Sequence, residues 1–297
     1  MLFWENRRKP GLTGQYNVFS AMSRNSILVC RKKGLPGIGI PAPGSSPTGE
    51  NMDKIIKTAL GLFVVILVVF VAYFSYIMYI DAKYQNSLES TYQYTCSITT
   101  NDVLSNVTFF IPVPVNAQGS SPVIAQISSK VIAGVPAGWN LTLYGTGKTT
   151  LLKVVAPTIG QPPLNGSAQP TTITLMVNAS SPVLIDTALP VADAAVFRPV
   201  QNVQAVACPA EDSALAGNPS CSQYQTSAYA DYTAAPTASL TISASVTGTN
   251  SWNIFSPESN MYRNTMSVQT LHGSNHGWVT AVGGIEAGIG SYDAPAV

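Results

Sequence analysis

The chain has 297 residues, of which 46% are hydrophobic and only 10% charged. That charge content is less than half of the roughly 25% usual in a soluble domain, which argues against a cytosolic enzyme with a charged surface. A net charge of +1 argues equally against a general nucleic-acid binder. The average, however, conceals two unlike parts. Residues 1–57 carry nine Lys or Arg against three acids (Glu5, Glu50, Asp53), a net +6; the remainder carries six basic and eleven acidic residues, a net −5.

Residues 1–53 read as a cytoplasmic, disordered linker segment. They hold no apolar periodicity long enough to build a core, and Gly34 to Gly49 contains five Gly and four Pro in sixteen positions, a flexible, turn-rich composition. The basic triplets Arg7-Arg8-Lys9 and Arg31-Lys32-Lys33 fit topology determination or contact with anionic lipid. The stretch from Met52 to Lys57 would by itself make a complete start for a type II membrane protein, so residues 1–51 are a candidate over-extension of the reading frame.

Between Lys57 and Asp81 lie 23 uncharged residues, Thr58 to Ile80. As a helix rising about 1.5 Å per residue they span about 34 Å, enough for a hydrocarbon core of about 30 Å. The run exceeds the h-region of a cleaved signal peptide, and no glycine directly precedes it as a prepilin signal requires. The expectation is an uncleaved signal anchor over residues 54–81. Tyr73, Tyr76 and Tyr79 crowd one end, where amphipathic rings favour the interface. Arg31, Lys32, Lys33, Lys54 and Lys57 lie on the other side, so the positive-inside rule predicts a cytoplasmic N-terminus and a C-terminal domain outside the plasma membrane. Four sequons, at Asn106, Asn140, Asn165 and Asn178, all follow the helix and are glycosylation candidates on an exported domain.

Residues 82–95 are expected to form a stalk and residues 96–297 a β domain. The period changes from helical to two: Leu240, Ile242, Ala244 and Val246 alternate with Thr241, Ser243, Ser245 and Thr247, a strand pattern. Ile173 to Val177 and Val107 to Val115 alternate likewise. Pro112 and Pro114 would remove donors from one side of their strand, which predicts an edge or a strand terminus. Trp139 to Ala156 reads as a hairpin around GTGK, and Met266 to Ile289 as two strands around His272 and His276. The fold class is mainly β: one N-terminal transmembrane helix followed by an antiparallel, sandwich-like exodomain. A division into two subdomains near 157–170 or 185–235 is the alternative. Cys208 and Cys221 bracket a turn-rich loop and are expected to pair; Cys30 faces the reducing side, and Cys96 is left over, buried or exchanging with that pair.

No motif carries chemistry. GTGKTT lacks the earlier glycine of a phosphate loop, since position 142 is Thr142, and no helix follows it. His272 and His276 sit among glycines with no acid adjoining them in sequence; no metal, cofactor, nucleotide or nucleic acid is expected. Trp139, Trp252 and Trp278 fit core positions better than a carbohydrate platform. No catalytic residue is assigned. The stretches SNVTFFIPVPV (105–115) and VPAGWNLTLYGTGKTTLLKVVAP (135–157) resemble archaeal, methanogen-type surface proteins with an N-terminal membrane anchor and a sequon-rich β exodomain. That resemblance implies architecture and location, with the bilayer and envelope proteins as partners. The expected function is a structural or interaction role in the envelope. One alternative is an exported hydrolase of envelope carbohydrate or peptide, which requires carboxylates from among Asp102, Asp186, Asp193, Asp231 and Glu286 to meet in one pocket. The other is a subunit of a membrane or surface assembly.

Overall fold

The computed structural model describes residues 49–145, 149–162, 169–209 and 217–292. The basic triplets, Cys30, the sequon at Asn165 and the centre of the GTGK turn lie outside them. Helix α1 (Gly49–Ser87) is followed by β1 (Glu89–Thr100), β2 (Leu104–Val115), α2 (Pro122–Ser128), β3 (Asn140–Gly145), β4 (Thr150–Ile159) and β5 (Thr171–Ser181). Then come α3 (Pro190–Asp193), β6 (Val196–Phe197), β7 (Gln201–Val206), β8 (Gly217–Ala234), β9 (Ser239–Asn253), β10 (Pro257–Val268), β11 (Leu271–His272) and β12 (Asn275–Gly290). The protein is mainly β, with a single N-terminal apolar helix.

The chain divides into two units at Gly61. In the first, Lys57 Nζ lies 3.4 Å from Asp53 Oδ2, an exposed pair one helical turn apart. The second unit holds the rest of α1 and all the strands. From Asp53 to Ser87 the helix is long and apolar enough to cross a membrane, and its most apolar stretch is bare of protein contacts.

The sheet is one continuous antiparallel path in the order β3-β4-β2-β8-β12-β10-β9-β1-β5. It curls so that one face of every long strand points into a single core: Tyr94, Cys96 and Ile98 from β1, Phe109 and Ile111 from β2, Leu240 and Ile242 from β9. The inward set is apolar and the outward set mostly Ser, Thr and Asn, which is the period-two pattern of a sheet with one wet face. One core cluster unites the strands, so the two-subdomain alternative does not hold.

The end strands β3 and β5 are bridged by α2, whose Val123 and Ile127 are buried and which packs against β5, β2, β1 and β3. Ser121 caps this helix by accepting the Ile124 N–H, and Pro122 opens it, where its missing donor costs nothing. Just beyond, Ala133 and Met176 exchange both backbone hydrogen bonds. Gly134 then passes so close that a Cβ would sit 2.0 Å from the Thr174 carbonyl oxygen, at φ +81°, which only glycine tolerates.

One expectation is corrected and another narrowed. β1 begins at Glu89, so residues 89–95 belong to the sheet and not to a stalk. Their inward residues include Tyr92 and Tyr94, a strand pattern that polar neighbours obscure. β2 is interior, flanked by β4 and β8. Its pairing with β8 nevertheless ends at Phe110, before Pro112, and β6 takes over at Pro114 and Val115. Of the expected edge or strand terminus, the terminus is what the prolines mark: both lie in the last four residues of β2, where its ladder with β8 has ended.

The connection from β5 to β7 runs through the concave face: Ile185, Thr187 and Ala194 to Phe197 are all buried. Two buried asparagines hold it. Asn264 Oδ1 accepts the Phe197 N–H at 2.8 Å, while its Nδ2 donates to Tyr224 Oη and the Gly284 carbonyl, both at 2.8 Å. Asn250 Oδ1 accepts from Ile185 N (3.0 Å) and Ser90 Oγ (2.7 Å), and its Nδ2 donates to the Ile185 carbonyl at 2.8 Å. Tyr262 Oη donates to the Ala195 carbonyl. Room for these rings comes from glycine: Tyr262 lies over Gly248, directly opposite in β9, and Tyr224 over Gly283 in β12. A Cβ on either glycine would fall 2.3 or 2.2 Å from ring carbon.

Replacing Asn264 with Ala strands a buried N–H, a carbonyl and a phenol, each costing about 1–3 kcal/mol. Asn264→Ala is expected to lower unfolding stability by about 3 kcal/mol or more in urea titration of the detergent-solubilised chain. A second expectation concerns alkali. Burial pushes the Cys96 thiol up to about 12 and raises Tyr94, Tyr224 and Tyr262 above the usual phenol range. Groups with raised folded values stabilise the fold fully below their unfolded values, about 8.5 for thiol and about 10 for phenol. The urea midpoint should therefore hold steady through neutral pH and fall steadily above those values, with Cys96 unreactive to iodoacetamide until unfolding.

Candidate functional surface

With the concave face filled, chemistry-bearing residues gather on the outward one. Phe110 on β2 faces Lys153 on β4 and Tyr229 on β8, and Tyr229 faces Trp278 on β12. Tyr144 on β3 joins the row. The ring centroids are 5.7 Å apart for Tyr144–Phe110, 5.5 Å for Phe110–Tyr229 and 5.5 Å for Tyr229–Trp278, all edge to face. Lys153 Nζ stands 5.7 Å from the Phe110 ring centre. Trp278 is 63% exposed and Tyr144 55%. The rings brace one another, each pair contributing about 0.5–1.5 kcal/mol, and still leave apolar faces to solvent.

One step along the strands runs a polar row: Thr108, Asp231 and His276 occupy successive register positions on β2, β8 and β12. His276 Nδ1 lies 2.6 Å from Asp231 Oδ1, and Tyr229 Oη donates to Asp231 Oδ2 at 3.4 Å. His276 was expected in a turn without an acid. The acid arrives from 45 residues away through strand pairing, which sequence neighbours cannot reveal. His272 is exposed on β11 and does not share the row.

A second outward area is lined by hydroxyls. Thr95, Ser97, Ser243, Ser245, Thr265 and Ser267 surround a shallow groove of about 320 Å³ with no charged side chain. Beside the Cys208–Cys221 disulfide lies a depression of about 390 Å³, bounded by Val206, Pro209, Cys221, Val282 and Glu286 among others. The disulfide has a Cα–Cα distance of 5.2 Å and a separation of 13 residues. It ties the β7 end to β8 and contributes about 3 kcal/mol in the chain-entropy model. Cys96 is buried and free.

The carboxylates from among which a hydrolytic pocket would be drawn sit in different places. Asp102 sits in the β1–β2 turn, Asp186 caps the backbone of Leu189, and Asp193 lies on α3. Asp231 is held by His276, and Glu286 by Arg263 at 3.0 Å. Among the described residues, no group of three His, Cys, Asp or Glu could hold a metal. The strands flanking GTGK pair directly, Gly145 opposite Thr150, so no phosphate-loop helix follows. Of the sequons described, Asn106, Asn140 and Asn178 are all exposed.

Of the tryptophans weighed as core, Trp252 is buried against Tyr84 and Trp139 is partly buried. Trp278 is not buried. The signal was in the phase: Phe109 points inward and so must send Phe110 outward, and Ala228 and Ala230 inside leave Tyr229 outside. Comparison with protein-family models, curated proteins and solved structures returned no match.

The His276–Asp231 pair is too exposed to matter to the fold, since such pairs contribute about 0–1 kcal/mol. Asp231→Asn is expected to change unfolding stability by less than about 1 kcal/mol at neutral pH, measured by the same urea titration.

Proposed function

We propose that this chain is a single-pass protein of the plasma membrane, with its N-terminus cytoplasmic and its β domain displayed outside as a structural or interaction module of the envelope. The observation that carries this reading is the uncharged helix from Thr58 to Ile80, exposed from Thr58 to Tyr76 and running directly into a β domain whose interior is filled. A filled interior leaves the surface as the working part. The basic residues Lys54 and Lys57 on one side of the span and the three exposed sequons on the other support the orientation. The resemblance to archaeal surface proteins points the same way. The row of Tyr144, Phe110, Tyr229 and Trp278 is the contact surface: exposed Trp and Tyr are the residue types that dominate binding interfaces, and a partly exposed lysine and a His–Asp pair frame it.

Orientation is tested with a membrane-impermeant maleimide on intact cells. Trp278→Cys should be labelled, whereas the native Cys30 should be labelled only after lysis; the reverse pattern overturns the reading. The contact surface is tested by crosslinking in native membranes. Trp278→Ala and Tyr144→Ala each lose one ring pair and should lower stability by no more than about 1.5 kcal/mol, leaving the chain folded, yet abolish crosslinks formed by the unmodified chain.

A further inference from the structure

Two connections at the end of the β domain where α1 arrives are chemically unlike those at the far end. At the end far from α1, the connections carry Asn101 and Asp102, Pro236 and Thr237, and Gly273 and Ser274, the polar and turn-forming residues normal for loops. At the end where α1 arrives, the β9–β10 turn is Asn253-Ile-Phe-Ser-Pro257, and the chain leaving β5 reads Ser181-Pro-Val-Leu-Ile185. Neither holds a charge. Phe255 is 76% exposed, Val183 68%, Leu184 58% and, close by, Leu189 71%. Register places these residues at one end: Ser90 lies opposite Ser181, and Glu89 opposite Ser251. Leu189 follows Thr187, whose hydroxyl bonds to Asn260 at the start of β10.

The helix joins this end with no flexible spacer. Ser87 Oγ accepts the Asn253 N–H at 2.9 Å, and Tyr84 packs edge-on against Trp252 at 5.8 Å. The β domain also reaches back along α1. Ile77, Ile80, Asp81, Tyr84, Ser87 and Leu88, spaced on one helical face, are partly or fully covered. Ile80 is buried although it belongs to the uncharged span, whose remainder is bare apart from the partly covered Ile77. The domain therefore begins before the apolar span has ended, at the level of Tyr76 and Tyr79.

We infer that the helix-proximal rim of the β domain, Val183, Leu184, Leu189 and Phe255, is seated in the lipid headgroup layer as a second membrane contact. This rests on the reading of α1 as a membrane span. Exposed apolar residues, Val183, Leu184 and Phe255 on uncharged loop tips and Leu189 beside the Asp186 that caps its backbone, held at the depth where the span ends, match an interfacial apolar surface and not a solvated loop. The rim would fix the tilt of the domain and so the direction in which the aromatic row faces.

The test uses the full chain carrying Cys30→Ser, reconstituted in phosphatidylcholine nanodiscs. Single reporter cysteines are placed by Phe255→Cys, Leu184→Cys, Thr237→Cys and Val65→Cys and labelled with an environment-sensitive fluorophore. Phe255 and Leu184 reporters should shift to the blue and be quenched by nitroxide lipid labelled near the headgroup, while Thr237 at the far end should not. The Val65 reporter should be quenched by nitroxide near the acyl-chain end. Quenching at Val65 with none at Phe255 and Leu184 overturns the rim contact and leaves the span standing; no quenching at Val65 overturns both.

Discussion

The β domain depends on a buried peptide held by side-chain amides. A curled sheet encloses more volume than its own side chains fill, and here the remaining space is taken by parts of the chain itself, Ile185, Thr187 and Ala194 to Phe197. Irregular backbone inside a core must find partners for its N–H and C=O groups. Asn250 and Asn264 supply them in the manner of a missing strand, each offering an acceptor and a donor to the connection or its supports. The phenols of Tyr224 and Tyr262 complete the set. This explains why polar residues sit at the centre of an otherwise apolar interior, and why Gly248 and Gly283 face those tyrosines: the rings need the area a side chain would occupy.

The filled interior has a consequence for function. A barrel-like sheet can hold a ligand only where its interior is vacant, and here an inner segment and its asparagine supports occupy that place. The carboxylates, left outside, are dispersed to a turn, a loop, a short helix and two surface pairs. What the sheet does present is an outward face with two textures: a hydroxyl groove over β1, β9 and β10, and an aromatic row crossing β3, β2, β8 and β12.

Much of this was legible in the sequence. The apolar helix over Thr58 to Ile80, the strands around Ile242 and Leu175, the hairpin at 139–156 and the Cys208–Cys221 pair all follow from patterns that are local. What was illegible is set by register. Asp231 meets His276, and Phe110 meets Tyr229, because strands distant in sequence lie side by side. Residues 89–95 hid their strand because Tyr92 and Tyr94 carry hydroxyls and their neighbours are polar. Pro112 and Pro114 leave edge and strand terminus open, because sequence shows that a donor is missing but not which neighbour has already ended.

The path of strands also leaves two ends, β3 and β5, and unprotected strand ends invite pairing with another chain. Here they are managed by different means. Ala133 caps the middle of β5 through two backbone bonds, and α2 fills the space between the ends. Beyond that cover stand Asn178 on β5 and Asn140 on β3, both exposed and both in sequons. A glycan on either would stand at a sheet end and block edge-to-edge addition. The low charge of the domain makes such a device useful, because the lysines that usually discourage edge pairing are scarce here, Lys153 lying one strand in from the β3 edge. The backbone cap on β5 and the exposed rings at the surface are both compatible with a charge-poor domain, since neither requires ionised side chains.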